Sequence, residues 1–171
     1  MWAASEGNDD IVQLLVEQGA NINAQNFAGE TALFIASTRG FDTIAHTLLE
    51  NGANVHIANI DGATALHMAV ANGNLSTSTL LVKYGAFVNS QDDNGDSPLH
   101  YAVREENSRL VEMLVSHCNA DVEIVNDDQE TPMDLASCLE CTDIVRFLSQ
   151  FTNVRLTNFV QDSNSFFRRW E

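Results

Sequence analysis

Apolar positions along this chain return in a fixed order. Leu33, Leu66, Leu99 and Met133 each stand two residues after a Thr or Ser and three before an alanine: Ala36, Ala69, Ala102 and Ala136. The hydroxyl residues are Thr31, Thr64, Ser97 and Thr131, evenly stepped except that the last step is one residue longer. A second apolar group follows each motif at helical spacing. It contains Ile44, Leu48 and Leu49, then Leu75, Leu80 and Leu81, then Leu110, Val111 and Leu114, then Ile144, Val145 and Leu148. The pattern predicts two helices per period, a short one and an amphipathic one. A second motif runs in phase, from Gly19 to Asn23, Gly52 to His56, Gly85 to Asn89 and Asn119 to Glu123. The extra residue of the last step is expected between Val115 and Ala120, at the end of a helix.

Elementary chemistry supports this division. A Thr or Ser hydroxyl accepts an orphan backbone N–H at a helix start, and Pro98 and Pro132 suit the first turn. The alanines allow close helix packing. Gly19, Gly52 and Gly85 terminate the second helix because glycine enters the left-handed region without strain. Asn119 takes that place in the last copy, and asparagine is the next-best choice. The stretch after each helix pair predicts a hairpin-like turn centred on Gly29, Gly62 or Gly95, with Gln129 in the last copy.

A period of about 33 residues with a Thr-Pro-Leu-His-x-Ala motif resembles the ankyrin repeat. The resemblance covers residues 1–151 and implies an all-α solenoid of stacked helix pairs joined by β-turn or hairpin loops. Residues 1–24 form a partial repeat, because Trp2 to Ser5 aligns with Ile35 to Thr38 and the preceding turn is missing. Full repeats follow at 25–57, 58–90, 91–124 and 125–151. Such an array provides no built-in pocket, so its function must come from a surface. The resemblance makes His67 and His100 structural residues that bond loop backbone, with Phe34 and Asp134 in the same place elsewhere. It also aligns Asn23 and Asn89 with a position that is hydroxylated in some ankyrin proteins.

Composition narrows the function. The 171 residues carry 24 acids against 8 bases, a net charge of −16, with Lys83 the sole lysine. A surface this acidic repels phosphate backbones, which argues against nucleic acid. The longest apolar runs are too short to cross a membrane. The chain opens without a charged-then-apolar leader and has three cysteines, Cys118, Cys138 and Cys141. Both features predict reduced thiols in a cytoplasmic or nuclear protein. Cys138 and Cys141 have the spacing of a metal or redox pair. Zinc, however, wants four ligands, and a single pair is read as ordinary cysteines. The sequence shows no phosphate loop, nucleophile elbow or His-Glu-x-x-His segment. No catalytic residue, metal or cofactor is expected, and the chain is read as a non-catalytic interaction scaffold.

In ankyrin proteins, partners dock on the concave face formed by the turn tips and the first helix of each pair. Carried over by alignment, the binding positions are Phe27, Glu30, Arg39, Ile60, Asp61, Asn72, Asp93, Asp96, Arg104, Glu105, Asp127 and Asp128. Phe27 and Ile60 are apolar residues at tips, either anchors for a partner or packing against a neighbouring turn. The charge is uneven. Residues 92–143 hold 14 acids and two arginines, while residues 1–91 hold eight acids and two bases. A protein or peptide with an apolar patch followed by a basic segment fits this strip. Two narrower readings stay open. One is an inhibitor resembling the ankyrin inhibitors of Rel-type transcription factors, masking a basic segment. The other is a targeting domain from a larger enzyme or channel.

The tail, 152–171, leaves the period. Leu156, Phe159, Val160, Ser163, Phe166, Phe167 and Trp170 follow an amphipathic helical spacing, with Arg168 and Arg169 beside them. It reads as a cap on the last repeat, with docking through Phe166, Phe167, Arg168, Arg169 and Trp170 as the alternative.

Overall fold

The computed structural model describes residues 1–152. Helices alternate between two layers. The inner layer holds α1 (Trp2–Ser5), α3 (Ala32–Arg39), α5 (Ala65–Ala71), α7 (Pro98–Arg104) and α9 (Pro132–Cys138). The outer layer holds α2 (Asp9–Glu17), α4 (Asp42–Glu50), α6 (Leu75–Lys83) and α8 (Ser108–Glu112). Residues 142–152 form a further outer helix, α10. Inner helices pack in order, α1 on α3, α3 on α5, α5 on α7 and α7 on α9, and α1, α3, α5 and α7 each pack on the outer helix that follows. The described residues thus form an all-α stack of helix pairs.

The predicted caps explain where the inner helices begin. Thr31 Oγ1 accepts from the Phe34 amide at 3.1 Å. In the next two repeats the backbone N–H of Thr64 or Ser97 donates to Nδ1 of His67 or His100, at 3.0 and 3.1 Å. Asp134 replaces the histidine in the last repeat and accepts from the Thr131 amide and hydroxyl. Those two bonds hold its carboxyl below the ordinary aspartate value. The four motif alanines are wholly buried, with Leu33, Leu66 and Leu99 beside them. Ile44, Leu48, Leu81, Leu110, Leu114, Ile144 and Leu148 supply the outer layer's share of the core.

The turns form a second, hydrogen-bonded ladder. Asn26, Asn59, Asp92 and Asn126 each close their own turn through a side-chain oxygen accepting from backbone amides. Successive turns then join by backbone bonds of 3.0 Å, from Ile60 N to Ala28 O, Asp93 N to Asp61 O and Asp127 N to Asn94 O. This approach accounts for the turn glycines. A Cβ on Gly62, at φ 74°, would lie 2.8 Å from the Asp93 amide nitrogen. Gln129 adopts the same conformation at φ 63°. Among the described residues no turn stacks on it, and its side chain is exposed.

Asn119 adopts the left-handed conformation expected of it, at φ 56°. The extra residue of the third step falls in the expected stretch, at the end of the outer helix, and a widened last turn takes it up. Met113–His117 form a π-helical turn that continues α8. In the regular repeats the closing bond spans five residues, as from Ala53 N to Leu48 O or Ala86 N to Leu81 O. Here it spans six, from Ala120 N to Leu114 O.

Candidate functional site

The inner helices bury the motif positions and leave one side accessible. The accessible or half-buried positions are Ile35, Thr38 and Arg39 on α3, Met68 and Ala71 on α5, and Tyr101 and Arg104 on α7. Asn72 and Glu105 follow directly at the ends of α5 and α7. Together with the turn tips they make one continuous strip. Of the positions named from sequence, Phe27, Arg39, Ile60, Asp61, Asn72, Asp93, Arg104, Glu105, Asp127 and Asp128 are exposed.

The two apolar tips are accessible. Phe27 is fully exposed, so its ring does not pack against a neighbouring turn, and Ile60 is 67% exposed. They share a turn position with Asp93 and Asp127, one repeat apart each time. The ladder of turn-to-turn bonds therefore lines up two apolar tips and two acidic ones in a row. Asp128 extends the acidic end.

Asp96 departs from the expectation of a contact residue. It is 4% exposed. One carboxylate oxygen accepts from Arg104 at 2.7 Å, and the other accepts from Asn126 Nδ2 at 3.0 Å. Beside it, buried Asp92 accepts from the Tyr101 hydroxyl at 2.7 Å. Burial and these neighbouring carboxylates push the Tyr101 phenol upward. The cluster fixes the third turn on α7, so Asp96 acts on the strip by holding it. Glu30 is intermediate: half-buried, and accepting from Asn26 Nδ2 at 2.8 Å.

Ile35 and Met68 are accessible strip residues that the repeat pattern alone does not single out. They occupy the variable place between the motif's fourth residue and its alanine, and that place was the available signal. Asn23 and Asn89 are engaged structurally. Their side-chain oxygens accept from the Asn54 and Asp121 amides of the next repeat at 2.7 and 2.8 Å. At the corresponding place His56 stacks on Phe87 with ring centroids 4.1 Å apart.

Cys138 is exposed and Cys141 half-buried, and both are free thiols. Desolvation, with the Glu106 carboxylate beside it, pushes the Cys141 thiol up, and desolvation does the same to Cys118. Both shifts run opposite to those of an activated nucleophile. Desolvation lowers His67 and His100 below the ordinary imidazole range, keeping them neutral in their loop-bonding role. The tail positions Phe166, Phe167, Arg168, Arg169 and Trp170 lie outside the described residues.

Comparison with known proteins agrees with this architecture. The sequence profile "Ankyrin repeats (3 copies)" matches residues 1–92 and 79–158. Human palmitoyltransferase ZDHHC17 is 50% identical over 38 residues, 22% of this chain, and the rat protein is 47% identical over 38 residues. The matched segments span 6% of those proteins' length. The profile covers nearly the whole array and the stacked helix pairs repeat in phase with it, so the chain belongs to the ankyrin repeat family.

Proposed function

We propose that this chain is a non-catalytic recognition module whose concave strip binds a protein segment with an apolar anchor followed by basic residues. Ankyrin repeats bind protein partners, and the array offers a surface suited to one. The observation that carries the finer reading is the row of tips. Phe27 stands fully exposed in register with Ile60, Asp93 and Asp127. A solvent-exposed phenylalanine gives a partner a large apolar contact. The acidic tips select a cationic continuation and speed encounter with it. The cytoplasm or nucleus suits such a module with free thiols.

The similarity to part of a palmitoyltransferase favours a second reading, in which the array targets a larger enzyme to its substrates or partners. The two are compatible, because targeting would use the same strip.

Affinity purification with the wild-type chain, Phe27→Ala and an Asp93→Asn/Asp127→Asn/Asp128→Asn variant tests the strip. Loss of the same partner from both variants supports it. A partner held equally by all three removes it.

A further inference from the structure

The face opposite the concave strip carries a second feature. Between outer helices α6 and α8 lies an open groove of about 610 Å³. Leu75, Val82 and Met113 give it an apolar floor, and Lys83, Arg109, Glu112, His117 and Cys118 stand around it.

Two observations set this groove apart from the corresponding one between α4 and α6. The first is charge. The α4–α6 groove has Asp42, Thr43, His46 and Ser76 in its walls, with Lys83 its one Lys or Arg. The α6–α8 groove has two such cations, in a chain with only eight. Among the described residues, Arg104 and Arg146 are tied to Asp96 and Asp143, whereas Lys83 and Arg109 make no ion pair. The second is backbone. The π-helical turn Met113–His117, the one departure from the regular outer helix among the described residues, supplies Met113 to the floor and His117 to the wall. Single π turns of this kind recur at functional sites.

The cations sit at opposite ends. One period of the repeat brings Arg109 level with Ser76, and Lys83 lies seven residues further along α6. At 1.5 Å per residue that is about 10 Å along the groove. The Glu112 carboxylate stands between them and disfavours an acid in the middle. His117 is at the Lys83 end. An α-helix presents residues i and i+7 on one face, separated by about the same 10 Å, with i+3 and i+4 between them.

We propose that the α6–α8 groove docks an amphipathic helix of a partner protein, one carrying two carboxylates seven residues apart with apolar residues at i+3 and i+4. The carboxylates meet Arg109 and Lys83, and the apolar pair lies on Leu75, Val82 and Met113. This site takes an acidic helix, whereas the concave strip takes a basic segment, so one chain can hold two partners on opposite faces.

The test uses the full chain and two fluorescent, side-chain-bridged helical peptides, read by anisotropy. Both carry Leu at i+3 and i+4. One has Glu at i and i+7, and the other has Lys there. The Glu peptide is expected to bind about tenfold more tightly, the factor two exposed ion pairs supply. Lys83→Glu/Arg109→Glu should reverse the preference, with far-UV circular dichroism showing an unchanged fold. Phe27→Ala should leave it unaltered, which separates this site from the concave strip. Equal binding of the two peptides overturns the proposal, as does a preference that survives the double charge reversal. Concentration-dependent self-association that the reversal abolishes also overturns it, by making a second copy the occupant.

Discussion

His67 Nε2 lies 3.1 Å from the Ser90 carbonyl oxygen, so one imidazole ties the start of α5 to the loop leading into the next repeat. The same nitrogen is 3.2 Å from the Asp96 carbonyl, while Nδ1 accepts from the Thr64 amide. The ring therefore carries its proton on Nε2 and is neutral. His100 repeats the arrangement with Glu130. Each histidine holds two repeats together.

This arrangement predicts an acid-sensitive array. Burial lowers both histidines in the folded chain, while in the unfolded chain they titrate near pH 6.5. Below that pH the unfolded state binds more protons, so stability falls as pH falls and is fully present above about 6.5. Thermal melts from pH 7.5 to 5 should show a decline beginning near 6.5. A His67→Asn/His100→Asn variant should start lower and lose less over that window. A wild-type melting temperature that stays flat to pH 5 would contradict this.

The turn and helix-end glycines should separate under substitution, although both have positive φ. A Cβ on Gly52 would meet nothing within 4 Å, so Gly52→Ala costs only the left-handed strain, about 1 kcal/mol. Gly52→Asn should cost less, since Asn119 fills the same role. Gly62→Ala adds a Cβ 2.8 Å from the Asp93 amide and must break the turn ladder. A loss of about 2 kcal/mol or more is expected in urea denaturation. Equal losses at the two sites would show that turn stacking is not what requires glycine.

Within the acidic cluster, one aspartate belongs to the scaffold and another to the surface. Asp96→Ala strands Asn126 and Arg104 and should cost about 2–3 kcal/mol. That is less than for a fully buried pair, because the Arg104 side chain is 44% exposed. Asp93→Asn should stay within about 0.5 kcal/mol of wild type while weakening binding of a basic partner. Chemical denaturation beside binding at two salt concentrations checks both. The reverse ranking would put Asp96 back among the contacts.

The period, the caps and the helix pairs were legible in the sequence because each is a local rule repeated in phase. Asn119 could be assigned because asparagine tolerates the left-handed region. The burial of Asp96 was not legible. Its partners Arg104 and Asn126 stand on α7 and in the next turn, and spacing alone places it beside Asp93 in the same turn. Gln129 takes the turn position that glycine holds in the other repeats, and among the described residues no turn stacks on it to meet its Cβ. Lys83 and Arg109 belong to different repeats, and only the stacking of α6 and α8 makes them two ends of one groove.

The π-helical turn yields a prediction about length. Deleting Ser116, which is exposed, makes the last step equal to the others. The closing bond should then span five residues, as in the other outer helices. The core side chains Leu110, Leu114 and Val115 all precede the deletion, so stability should stay within about 1 kcal/mol of wild type. The groove walls at His117 and Cys118 move, so the acidic helical peptide should lose affinity. Hydrogen exchange across 113–120 would show whether the turn has regularised.

Phe27 offers the sharpest separation of binding from folding. Its ring is fully exposed, so Phe27→Ala removes no burial in the free chain and should shift stability by less than about 0.5 kcal/mol. If the ring anchors a partner, truncation should cost about 2 kcal/mol of affinity, close to thirtyfold, because that contact is desolvated only in the complex. Ile60→Ala should cost less, since part of its side chain is already covered. Calorimetric titration of a captured partner against the three proteins measures the order. Raising the salt should weaken all three by a similar factor, because the acidic tips Asp93 and Asp127 are intact in each. A Phe27→Ala protein that binds as tightly as wild type would move the anchor away from the turn tips and onto the inner-helix side of the strip, at Ile35 and Met68.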